Sequence, residues 1–126
     1  MTSEPPQNRF FRAPRESELA DDVFRSHVRS EFFDVRSRFL DRLACVQVFD
    51  RELFEALLLW LDVLRRCYAA ADLPMAASDF DQFSSIAGYL EQEATYSRDQ
   101  RAECVAAHTQ WLGVMHQFHV LPEDQP

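Results

Sequence analysis

The chain has 126 residues, 47% hydrophobic and 13% aromatic, which is one domain's length with enough apolar material for a core and excludes wholesale disorder. Two glycines in the whole chain exclude a hairpin-rich β fold and a glycine-rich phosphate loop, because both use positive φ or close backbone approach. Thirteen basic residues against twenty-one acids leave a formal charge of −8, which works against direct binding to nucleic acid or anionic membrane, where clustered cations are needed.

Residues 1–15, MTSEPPQNRFFRAPR, hold three prolines and no helical period, so a short flexible N-terminal arm is expected there. Phe10 and Phe11 are its candidate anchors on a partner. From Ser17 onward Phe24, Val28, Phe32, Val35, Phe39, Leu43 and Val46 recur at steps of three and four, the spacing of one buried helical stripe. This predicts one long first helix of about 30 residues with a break near Ser30. Asp21 with Arg25 and Asp34 with Arg38 are expected ion pairs one turn apart on it.

Asp50 is a residue type that accepts the free amides of a starting helix, which predicts a tight turn and then a second helix. That helix is apolar nearly all round and leaves only Glu55, Leu59, Asp62 and Arg66 outside, so it should be the central, most buried one. Leu59 on its narrow polar face is a candidate self-association contact. Pro74 ends this helix. Ser78 with Asp81, and Ser97 with Gln100, have the spacing of capping boxes. They predict a third helix, with Phe80, Phe83, Ala87, Leu90 and Ala94 inward and Gly88 admitting a close neighbour, and a fourth from about Arg98 to Val120. The expected fold class is all-α: an antiparallel four-helix bundle-like domain over residues 16–121, followed by a short tail at 122–126.

Every basic residue is Arg, so Schiff-base and lysine-base chemistry is absent. Three widely spaced cysteines with no CxxC pair suit reduced thiols and a cytoplasmic location. The most apolar run, Leu53 to Leu64, is too short and too charged to span a bilayer. In CVAAHTQWLGVMHQFH, Cys104, His108, Trp111, Met115 and Phe118 share one stripe with His119 beside it, while His116 lies further round. Cys104 and His108 are the candidate ligands for zinc or another transition metal, with the remaining ligands drawn from other helices. No E-x-x-H occurs, so a carboxylate-bridged di-iron bundle does not fit, and the Cys104 and His108 pair has no evident orienting acid or oxyanion hole.

Residues 1–51 hold nine Arg and nine acids, while residues 52–126 hold four Arg and twelve acids, so the whole surplus lies in the second part. Asp79, Asp81, Glu91 and Glu93 are therefore candidate contacts for a protein partner with an Arg/Lys-rich surface. The expected function is a non-enzymatic, acidic, helical protein-interaction module, such as an adaptor, an inhibitor or an immunity-type antagonist, with a homodimer as a further expectation. The alternative expectation is a metal- or cofactor-binding bundle centred on Cys104 and His108.

Overall fold

A computed structural model describes residues 8–75, 77–97 and 99–118 and is all-α. A 3-10 turn at Glu16–Glu18 precedes five helices: α1 (Asp22–Cys45), α2 (Arg51–Ala70), α3 (Ala77–Ser84), α4 (Ile86–Tyr96) and α5 (Arg101–Met115). The terminal segments 1–7 and 119–126, and with them the expected acidic tail and His119, lie outside the described residues, as do Ala76 and Arg98. The last helix, expected to run to about Val120, ends at Met115.

The first stripe is buried from Phe24 to Leu43 in a helix that runs unbroken through Ser30. The helix starts later than expected because Asp21 stays extended outside it and accepts from the Val23 amide at 2.9 Å. With Asp21 so used, Arg25 pairs with Asp22 at 2.9 Å instead, whereas Arg38 pairs with Asp34 at 3.2 Å as its spacing implies. Val46 falls beyond the helix and is exposed. The chain then reverses through Gln47, which adopts a left-handed φ of 55°, a conformation that glycine enters at less cost. Asp50 caps α2 by accepting from the Leu53 amide at 3.1 Å and also pairs with Arg42 at 3.0 Å, fastening the two helices at their turn.

Two antiparallel hairpins build the domain. In the first, Phe39 meets Phe54, and further along Arg25 lies over Tyr68, so residue numbers rise on α1 as they fall on α2. In the second, the Arg101 side chain reaches the Ala94 carbonyl while His108 lies beside Glu91. An aromatic cluster joins the hairpins: Phe32 packs edge-on to Phe83 at 4.8 Å, and Trp111 tilts against both Phe32 and Phe54 at 6.1 Å.

The third expected helix is two helices, α3 and α4, with a break at Ser85. Side-chain oxygens cause it. The Ser84 and Ser85 hydroxyls donate to the Asp81 and Gln82 carbonyls, competing with the backbone ladder, and the Arg36 guanidinium holds Ser85 Oγ from α1 at 2.9 Å. The Phe83 carbonyl freed at the break accepts instead from the Trp111 indole N–H at 3.1 Å, in the buried core. Neither expected capping box forms, since Ser78 lies inside α3 and Ser97 closes α4. Gly88 is exposed, and a Cβ there would meet nothing within 4 Å, so it admits no close neighbour from within the chain.

Candidate functional site

The N-terminal arm is laid back on the first hairpin over residues 8–15 rather than left free. The Asn8 amide donates to the Glu52 carbonyl at 2.8 Å, Arg9 pairs with Glu52 at 2.7 Å, and the Trp60 indole N–H donates to the Phe10 carbonyl at 2.7 Å. Phe11 stands edge-on to Trp60 at 4.9 Å. Both candidate anchors, Phe10 and Phe11, are thus half-buried against this chain's own core. Apolar rings on a tethered segment find the nearest apolar surface at little entropic cost, and Trp60 is that surface.

Between the arm and α1 lies an open cleft of about 370 Å³, walled by Arg9, Phe10, Arg12, His27, Glu31, Arg38 and Trp60 among others. Its cations are already partnered: Arg9 by Glu52, Arg12 by Glu18 at 3.5 Å, and Arg38 by Asp34. The cleft therefore lacks a cluster of free cations for an anionic ligand, and its shape is that of the seam where the arm docks.

The arm's ion pair sets a pH dependence. The Arg9 side chain, followed by its backbone amide, holds the Glu52 carboxyl below the usual carboxylate range. A carboxyl lowered in the folded state stabilises at pH above its unfolded value, and the contribution is lost as pH falls through the folded one. The Trp60 indole proton resonance is accordingly expected to hold steady from neutral pH down to the ordinary carboxylate range and to move below it. Glu52→Gln should give the moved resonance already at neutral pH, and an identical resonance in that variant would show that the pair does not hold the arm.

Cys104 and His108 lie on adjacent turns of α5, as their spacing implies, but in different surroundings. Cys104 is fully buried, and burial, reinforced by Glu93 and Glu103, pushes its thiol up to about 11. His108 is partly exposed, with Nε2 at 3.7 Å from the Glu91 carboxylate. Among the described residues, no three His, Cys, Asp or Glu side chains converge as a metal site requires. Burial also raises the Cys67 thiol, whereas Cys45 is exposed at the end of α1. Because the thiolate is the reactive form, a maleimide is expected to label Cys45 alone in the folded protein and all three cysteines after denaturation. Rapid native labelling of Cys104 would overturn this assignment.

The candidate acids do not form one patch. Asp79 is half-buried and spent on Arg29 at 3.1 Å. Asp81 is exposed on the same short helix. Glu91 and Glu93 stand two residues apart on α4, hence about 200° apart around its axis, with Glu91 beside His108 and Glu93 half-buried. Leu59 is half-buried and lines, with Asn8, Glu55 and Leu58, a groove of about 310 Å³ beside the arm.

The surface that sequence reasoning passed over is the other side of α5. Opposite the buried Cys104, Ala107, Trp111 and Met115, the positions Ala102, Val105, Ala106, Thr109, Leu112, Gly113 and His116 are all exposed. At 100° per residue they fill one contiguous arc of the helix, and none is Asp, Glu, Lys or Arg. In a chain with 27% charged residues, an outward face four turns long and free of them is unusual, and Val105 and Leu112 are 52% and 39% exposed on it. The signal was available, because Glu103 is the last charged residue before Glu123, but the inward stripe carries the chemistry-bearing residue types and draws the eye.

No helix among the described residues is long and apolar enough to cross a membrane. Compared with known proteins, the chain matches no family model, no curated protein and no solved structure.

Proposed function

We propose that the chain is a non-enzymatic helical protein-interaction module, of the adaptor, inhibitor or antagonist kind, that docks a partner through the outward face of α5. The observation that carries this reading is the exposed, uncharged arc from Ala102 to His116, rimmed by Glu91 on one flank and Glu103 on the other. Interface centres are depleted of charge and ringed by polar groups, and this face has that composition. The helix beneath it is rigidly seated by Trp111, so the surface is presented without an ordering cost. Three free thiols suit a reducing cytoplasmic setting.

A photocrosslinking amino acid placed at Thr109 tests the reading inside cells. It should give one discrete adduct that the same group at Ser37, exposed on α1, does not give. Absence of an adduct at Thr109, or the same adduct from both positions, would remove α5 as the docking surface.

A further inference from the structure

The geometry points to a second copy of this chain as the occupant of the α5 face, paired antiparallel about a two-fold axis at Thr109; this rests on the reading of that face as the docking surface. Four observations carry it. With Thr109 on the axis, Val105 of each copy meets Leu112 of the other along one edge of the seam, and Ala106 meets Gly113 along the opposite edge. The pairs Val105 with Leu112, Ala106 with Gly113 and Ala102 with His116 have midpoints within half a residue of Thr109, so one register serves all three. The face is therefore self-complementary, as an isologous interface must be. The small edge is open as well: a Cβ at Gly113 would meet nothing within 4 Å, leaving room for a backbone to approach.

Charge favours the same arrangement. Two copies each carrying −8 repel wherever acids meet, and this arc is an extended helix face on which they do not. In the antiparallel register the two Glu103 side chains sit six residues to either side of the axis, about 18 Å apart along the helices and beyond the roughly 8 Å screening length at physiological salt. A parallel pairing would align the two helix dipoles unfavourably. His116 of one copy is meanwhile carried towards the Glu103 end of the other.

Area sets the strength. A 15-residue helix is about 22 Å long and about 10 Å across, so pairing along it covers well under the roughly 800 Å² per partner of a tight complex. The dimer is therefore of the weak, transient class. Its salt response is distinctive: screening the repulsion between two acidic bodies strengthens association, whereas docking on a basic partner weakens as salt rises.

Sedimentation equilibrium of the full chain, across a hundredfold concentration range and at low and high salt, is the test. The expected result is a monomer–dimer equilibrium that shifts toward dimer with salt, while Leu112→Arg, a substitution at an exposed position, stays monomeric with an unchanged circular dichroism spectrum. On a Cys45→Ser background, Thr109→Cys should oxidise to a covalent dimer, since two cysteines at the axis come within disulfide reach, and Ser37→Cys should not. A chain monomeric at every concentration with no Thr109→Cys disulfide overturns the proposal, as does a dimer untouched by Leu112→Arg. If the chain is monomeric but the crosslinker at Thr109 joins a different protein, self-pairing falls and the interaction reading stands. With no adduct at all, both fall.

Discussion

Replacing Trp111 by Ala is expected to cost about 3 to 5 kcal/mol, the range for removing a buried large aromatic side chain, and so to consume much of the roughly 5 to 15 kcal/mol that holds a domain of this size together. The side chain is fully buried, touches Phe32 and Phe54 from the other hairpin, and donates its indole N–H to the Phe83 carbonyl. Three roles meet in it: filling the space between hairpins, seating α5, and satisfying a backbone oxygen released where α3 gives way to α4. Trp111→Phe separates them. It keeps most of the ring but strands that buried carbonyl, at about 1 to 3 kcal/mol for an unmet hydrogen bond. At about 4 °C per kcal/mol for a chain of this length, the thermal midpoint should fall by roughly 12 to 20 °C in the Ala variant and by roughly 4 to 12 °C in the Phe variant. Calorimetry checks both, and an unshifted midpoint in Trp111→Phe would show that the Phe83 carbonyl finds another donor at no cost.

Trp60→Ala is expected to show a comparable loss of about 3 to 5 kcal/mol, but with a local signature that Trp111→Ala lacks. Trp60 is 3% exposed, packs on Phe11 and His27, and holds the Phe10 carbonyl. Without it the arm retains the exposed Arg9 and Glu52 pair as its main polar tie, and exposed pairs contribute little. Trypsin should then cut after Arg12 and Arg15 under conditions where the rest of the chain stays intact and where the Trp111 variants, kept below their midpoints, resist at those bonds. Trp60→Phe keeps the packing and loses only the indole donor, so it should expose the arm partially while lowering the midpoint by a few degrees. An arm that stays uncut in Trp60→Ala would mean that Trp60 supports the core alone.

What could be read from the sequence was whatever repeats along one helix. The stripe from Phe24 to Leu43 is a property of α1 by itself, because a period of 3.6 residues puts every one of those side chains on a single side wherever the helix later packs. The apolar girth of α2 likewise marks it as the most enclosed helix, and Asp50 marks its start through an interaction only three residues long. Composition argued against a hairpin-rich β fold and a glycine-rich phosphate loop for the same local reason, since glycine's conformational freedom is a residue property.

Tertiary structure decided everything that depends on a second segment. Ser84 and Ser85 have a helical spacing around them, and the break that their hydroxyls open is fastened by Arg36 on α1 and Trp111 on α5. The arm has no period of its own and acquires a conformation because Trp60, fifty residues from Phe10, offers it a ring face and a donor. Asp79 looks like a free acid until Arg29 arrives from α1. Cys104 and His108 share a stripe in sequence, yet their separate surroundings, one sealed and one beside Glu91, come from how α4 lies on α5. The outward face of α5 belongs to both accounts: its lack of charge is written in residues 104–118, but it became a surface only when the bundle buried the opposite stripe. A sequence carries the periodicity of each element, while partnership between elements is set by distances that the folded chain alone supplies.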